Sequence, residues 1–340
     1  MPFINEITQQ RSLSIVGLEK NTGKTVCLNY ILRRLAQLGH PVAVTSIGVD
    51  GEQTDAVFGT AKPEIVLYPG TKFITSEVHY RKRRLLSNIL DVDERRTSLG
   101  KLITAEVLNS GKVLLSGAAT TEKLRQQISQ FRMMDVPLTI VDGALSRISL
   151  ASPTVTDAMI LATGAAVSPN LQQLISKTRF LYRLINLPEV EPELKERLLP
   201  LTQGLWSVDA EGEAHDLHIA SALLLDRTEE DIFRYGNTLY ASGSVSDRLL
   251  KHLASRKQIR DIVLIARDFT KFFVTPEVYV DFTRRGGTIC VLQRSKLIAV
   301  TLNPTSPHGY TLRSEEACAA LSEALQIPVY DVMKTLPPEL

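Results

Sequence analysis

The run Ser14-Ile15-Val16-Gly17-Leu18-Glu19-Lys20-Asn21-Thr22-Gly23-Lys24-Thr25 constrains this chain more than any other stretch. It ends in Gly-Lys-Thr, and it lies between an apolar strand and an amphipathic helix. Leu13, Ile15 and Val16 predict a short buried strand. After Thr25 the apolar residues Leu28, Ile31, Leu32, Leu35 and Leu38 recur at helical spacing, with Arg33, Arg34 and Gln37 on the other face. Gly39 and Pro41 stop that helix, and a second strand from Val42 to Ser46 begins at once. A strand–helix–strand unit of this length predicts a parallel pair.

A loop of this kind presents its N–H groups and a helix N-terminus to polyphosphate oxygens. Lys24 then reaches the terminal phosphates, and the Thr25 hydroxyl ligates Mg²⁺. Lys20, Asn21, Thr22, Gly23, Lys24 and Thr25 are therefore the predicted nucleotide-binding residues, with Lys24 also catalytic. One feature departs from the usual pattern: Leu18 stands where glycine is expected, and Gly17 comes one place early. The alternative is a Gly-Lys-Thr that closes an ordinary strand–helix turn.

At 340 residues the chain has room for two domains, or for one large α/β domain with an appendage. Its 39 basic and 37 acidic residues nearly cancel, so charge balance demands neither nucleic acid nor an anionic membrane. No apolar run approaches the roughly 20 residues of a membrane helix. The first residues show no signal-peptide core, and a cytoplasmic location is expected. Cys27, Cys290 and Cys318 are too few and too scattered for a disulfide framework or a metal-spacing pattern.

Further strands are predicted at Ile65–Tyr68, Val113–Leu115, Leu138–Val141 and Ala158–Leu161, the last three as buried parallel strands. Ser76–Glu106 reads as helix broken near Asp91, and Leu171–Leu199 as helix interrupted by Pro188 and Pro192. A change of character near residue 210 leads into strands at Leu205–Val208, Ile262–Ala266, Thr288–Leu292 and Leu297–Thr301. Helices are expected through Leu249–Leu253 and over Ser314–Leu325. The expected fold is α/β: a P-loop nucleotide-binding domain over 1–210, with a mostly parallel sheet flanked by helices, and a smaller α/β partner-interaction domain over 211–340 that docks a protein.

Asp142 ends the apolar strand Leu138–Val141, where an acidic residue holds Mg²⁺ directly or through water. Strand-end Asp residues are also common turn formers. Asp50, after the second strand, is placed like the Asp that assists Mg²⁺ or water in the class that includes dethiobiotin synthetase, the molybdopterin-guanine dinucleotide partner protein and the partition ATPases. A surface turn at Asp50-Gly51 is the alternative. Lys24, Asp142 and Asp50 form the predicted catalytic set, and Thr25, Asp142 and Asp50 the metal set. No Asn-Lys-x-Asp or Thr-Lys-x-Asp occurs, which favours ATP over GTP. Arg81-Lys82-Arg83-Arg84, with Arg95 and Arg96, reads as a solvated helix face because acidic residues adjoin it and no aromatics interleave. The segments Arg267–Lys271 and Asn303–Tyr310 follow buried strands, either as partner or ligand surfaces or as rigid turns.

Taken together, Gly17–Thr25, Val141–Arg147, Val155–Asp157 with Ala162–Ala165, and Asn303–Tyr310 resemble the P-loop subunit of the lysine 5,6-aminomutase reactivase. The resemblance implies ATP and Mg²⁺ as cofactors, and as partners lysine 5,6-aminomutase and a second, mismatch-repair-like reactivase subunit. It implies release of damaged cobalamin from that adenosylcobalamin-dependent mutase. No nucleic acid or membrane partner is expected, and a homo-oligomer is compatible with the sequence. The other readings are an ATP-dependent synthetase of the dethiobiotin synthetase type acting on a small carboxylic acid, with a pocket along Gly117–Thr120, and a scaffold that binds nucleotide without turnover.

Overall fold

The structure is a computed structural model that describes residues 1–47, 64–143, 151–222 and 232–335. In chain order it begins with helix α1 (Phe3–Ile7), strand β1 (Ser12–Gly17), helix α2 (Lys24–Gln37) and strand β2 (Val42–Ser46). Helix α2 buries Cys27, Leu28, Ile31, Leu32 and Leu35 along one face and ends where Gly39 turns left-handed, its N–H bonded to the Ala36 carbonyl. Next come β3 (Ile65–Leu67), β4 (Lys72–Ser76), α3 (Glu77–Arg81), β5 (Arg84–Thr97), β6 (Gly100–Val113), α4 (Thr121–Met133), β7 (Leu138–Asp142), β8 (Ala158–Gly164) and α5 (Leu171–Ile185). The middle of the chain forms α6 (Pro192–Leu198), β9 (Leu205–Val208), β10 (Ala214–Ile219), β11 (Thr238–Ala241), β12 (Val245–Ser246), α7 (Asp247–Ala254), β13 (Val263–Ala266), β14 (Phe272–Phe273), α8 (Pro276–Arg284) and β15 (Thr288–Val291). The last elements are β16 (Lys296–Asn303), α9 (Ser314–Leu325) and β17 (Val329–Asp331).

These elements make two compact units: Met1–Arg179 with Lys296–Leu340, and Phe180–Ser295. The first is built on a ten-stranded sheet in the order β17-β16-β8-β1-β7-β2-β4-β6-β3, with β5 paired to β6. From β17 through β4 every neighbouring pair is parallel. Strands β1, β2 and β8 are buried throughout, as expected of parallel strands covered on both faces. Alternate side chains serve the two faces. Ile140 and Val44 join the α2 residues Leu28, Ile31 and Leu32, whereas Val141 packs with Leu124, and Ala43 with Phe131, both of α4.

The second unit carries its own sheet, β10-β9-β11-β13-β15. Its first pairs are antiparallel, and β11, β13 and β15 are parallel. Leu198, Val208, Tyr240, Ile265 and Leu292 form its core. Arg267 donates to the carbonyls of Leu199 and Leu201, both at 3.2 Å, and Asp268, Phe269 and Thr270 are buried. That segment builds the unit from within and presents little surface.

Two expectations are corrected. Ser76–Glu106 is not a broken helix: only Glu77–Arg81 is helical, and β5 and β6 form a long hairpin. The helix-like spacing of Leu86, Ile89 and Leu90 does not mark a core face, because all three stay exposed, while Leu102, Ile103 and Ala105 are buried by pairing with β4. The basic run therefore spans the end of α3 and the start of β5 instead of one helix face. The chain also does not divide at residue 210. Strand β16 lies beside β8 in the first unit, paired from Lys296↔Ala158 to Asn303↔Gly164 with one register shift between Leu297 and Ala299. An apolar strand of this composition carries no mark of which sheet receives it.

Removing residues 211–340 should therefore strip β16 and β17 from the sheet and bare the edge of β8. Such a truncation is expected to be insoluble or to lack a cooperative thermal transition by circular dichroism. A soluble, cooperatively folding fragment would contradict this division.

Candidate phosphate-binding site

Strand β1 runs buried to Gly17, and α2 starts seven residues later at Lys24. The intervening loop is pinned at its start, where the Leu18 N–H donates to the Ala162 carbonyl of β8 at 2.8 Å. Within the loop the Thr22 hydroxyl (2.9 Å) and the Lys24 ammonium (3.1 Å) both donate to the Glu19 carbonyl. Both groups lie over Gly17. A Cβ there would stand 2.3 Å from Thr22 Oγ1 and 2.8 Å from Lys24 Nζ. This close approach explains the early glycine: the residue that must lack a side chain is the last of β1, and Leu18 beyond it is half-buried with a side chain in place.

Gly23 is left-handed at φ +90° and stands immediately before α2, with no capping side chain of its own and no acidic residue in the first helical turn. The first N–H groups of a helix have no intrahelical partner, and they carry the positive end of its dipole. Here they lie at the carboxyl edge of the sheet, on the loop that holds the Lys24 ammonium, an arrangement suited to a polyanion. Lys20 is exposed, Asn21 is left-handed at φ +60°, and Thr22 is buried. Behind the loop, burial pushes the Cys27 thiol up to about 12, so it stays protonated and is no nucleophile.

Asp142 reaches the same edge. It ends β7, pairs in register with Ile15 of β1 and with Ser46 of β2, and is half-buried. The Gly143 N–H donates to the Ile15 carbonyl at 3.3 Å, and the Ser46 hydroxyl to the Asp142 carbonyl at 3.2 Å. Neighbouring strands are about 5 Å apart, so Asp142 stands one strand from the root of the loop. Asp50 lies outside the described residues. No group of three or more His, Cys, Asp or Glu that would hold a metal occurs among the described residues. A Mg²⁺ held by one hydroxyl, one carboxylate, phosphate oxygens and water needs no such group, so Thr25 and Asp142 fit that ion.

On the other side of the loop the structure adds residues that the sequence placed in a different domain. Asn303, at the end of β16, donates through Nδ2 to the Asn21 carbonyl at 3.2 Å. The Tyr310 hydroxyl donates to the Ala165 carbonyl at 2.6 Å, joining the segment after β16 to the one after β8. Lys177 of α5 pairs with Glu19 at 3.3 Å and donates to the Val167 carbonyl at 3.2 Å. Asn303–Tyr310 is thus part of the loop's surroundings and not of a separate docking domain. Only its position at a strand end hinted at this.

No protein-family description matches the chain, and no curated protein does. Among solved structures it is similar to pNOB8 ParA, at 11% identity and a TM-score of 0.29, covering 54% of this chain and 61% of that one. A second similar structure is pNOB8 ParA bound to nonspecific DNA, at 11% identity and a TM-score of 0.25, covering 54% and 63%. The chain thus spans about three fifths of the length of these proteins, and the likeness is too slight to assign a family. The expected partner set is corrected: one of the two similar structures is a DNA complex, so the exclusion of nucleic acid is not kept. The comparisons give no support to the aminomutase and second-subunit partners, which are not kept either. Among the described residues no helix is long and apolar enough to cross a membrane.

Gly17→Ala should force Thr22 and Lys24 off their shared acceptor. Overpacking of this kind costs about 1–3 kcal/mol, read as a lower urea midpoint with an unchanged slope. A midpoint equal to that of the unaltered chain would show that the loop yields freely.

Proposed function

We propose that this protein is a Mg²⁺-dependent nucleotide-binding protein that hydrolyses ATP. The observation that carries the reading is the placement of the Lys24 ammonium over Gly17 at the N-terminus of α2, with Asp142 in register on the adjacent strand. In this reading Lys24 and the loop N–H groups bind the phosphates and oppose the negative charge that grows on them during transfer. Thr25 and Asp142 hold the metal, which when bound supplies charge neutralisation between the phosphates. Leu18, tied to β8, keeps the start of the loop against the sheet. The segments after β8 and β16, joined by Tyr310, bound the side of the loop away from Asp142 and take the nucleoside.

A second reading, an ATP-dependent synthetase, is favoured by the position of Gly117–Thr120. Gly117 lies against the backbone of Ser46, where a Cβ would stand 1.5 Å from its carbonyl oxygen, and Ala118 bridges to Ile47. That segment sits beside the carboxyl end of β2, the next strand beyond Asp142, at the edge where ligands of open α/β sheets gather.

Calorimetry with Mg-ATP and Mg-GTP tests the primary reading. Lys24→Ala should weaken binding at least a hundredfold while leaving the fold intact, and Asp142→Asn should reduce Mg²⁺-dependent turnover more than metal-free binding. Binding of neither nucleotide by the folded, unaltered chain would refute the reading. Turnover that appears only when a small carboxylic acid is added would select the synthetase.

A further inference from the structure

Asn303 meets the phosphate loop at its two left-handed residues. Its Nδ2 donates to the Asn21 carbonyl at 3.2 Å. Its Cβ fills the space beside Gly23, 2.8 Å from where a side chain on that glycine would begin. Left-handed backbone is uncommon outside glycine, is tolerated best by Asn and Asp, and persists where its surroundings over-determine it. Asn21 adopts it, at φ +60°.

Asn303 is itself held from every side. Its Oδ1 accepts from the Thr305 N–H at 3.1 Å, which fixes the amide so that Nδ2 faces the loop. Its carbonyl accepts from the Ala165 N–H at 2.9 Å. Gly164 approaches that carbonyl so closely that a Cβ there would stand 2.2 Å away. The parallel pairing of β16 with β8 runs through Asn303↔Gly164, so the residue is anchored in the sheet. A rigid strand end therefore presses an amide donor and a methylene against the two backbone positions that shape the loop.

We propose that Asn303 is a positioning residue for the phosphate loop, holding Asn21 and Gly23 left-handed so that the N–H groups between them and α2 face the phosphates before nucleotide arrives. The inference rests on the nucleotide reading above. Asn303 acts through the loop backbone and touches neither base nor sugar, so its loss weakens inorganic polyphosphate and whole nucleotide alike. Preorganised donors of this kind need no rearrangement on binding, which is how a residue outside the ligand contacts alters affinity.

The test measures dissociation constants by calorimetry for Mg-ATP and for Mg-tripolyphosphate with the full chain, Asn303→Ala and Asn303→Leu, each shown to be folded by circular dichroism. Asn303→Leu keeps the bulk of the side chain and adds no charge beside the phosphates but cannot donate to the Asn21 carbonyl, so it separates the loop hydrogen bond from the packing beside Gly23. Each variant should bind both ligands about tenfold more weakly, the effect of one lost hydrogen bond of roughly 1.4 kcal/mol. Unchanged affinity for both ligands in either folded variant would overturn the proposal. So would a loss confined to ATP, which would assign Asn303 to the nucleoside. If the unaltered chain binds neither ligand, the nucleotide reading falls and this inference with it.

Discussion

The Lys24 ammonium and the Thr22 hydroxyl share one acceptor, the Glu19 carbonyl, directly over the bare backbone of Gly17. That contact sets the path of the chain from β1 into α2. With a side chain at residue 17 the Thr22 hydroxyl and the Lys24 ammonium have to shift off their shared acceptor. The sheet supplies the other half of the constraint. β1 is buried between β7 and β8, so its carboxyl end is fixed on both sides, and the loop hangs from a rigid root.

The parallel register then decides which groups stand near the loop. β7 brings Asp142 to one side, and β8 with β16 brings Asn303 and Tyr310 to the other. The two sides differ in chemistry. Toward β7 and β2 the edge carries the Asp142 carboxylate and the Ser46 hydroxyl, suited to a cation. Toward β16 it carries the Tyr310 phenol and backbone carbonyls. A polyphosphate across the loop would thus have its metal on one side and its organic end on the other, in line with ligand binding at the carboxyl ends of open α/β sheets.

The loop and the strands that flank it were legible in the sequence because each carries local information. Glycine and proline punctuate α2 at Gly39 and Pro41, apolar periodicity marks its buried face, and Asp142 closes an apolar run. Helix α9 was read at the same bounds, Ser314–Leu325, for similar reasons. The hairpin β5–β6 was not legible. Leu86, Ile89 and Leu90 of β5 fall at helical intervals but remain exposed, and β6 is fixed by pairing with β4, a contact that no local pattern encodes. The membership of β16 was hidden for a related reason. The chain leaves the first unit after Arg179 and returns at Lys296, so residues that flank the phosphate loop are about 280 positions away from it in sequence. Spacing rules reach across one turn or one hairpin, and they do not reach across an inserted unit.

Hydrogen–deuterium exchange of the full chain with and without Mg-ATP tests the account most directly, because it reads the backbone N–H groups on which the site depends. The account predicts slowed exchange at residues 18–26, at 142–143 and at 303–305, with the sheet of the second unit unchanged. Protection centred on β11, β13 and β15 with residues 18–26 unaffected would contradict it.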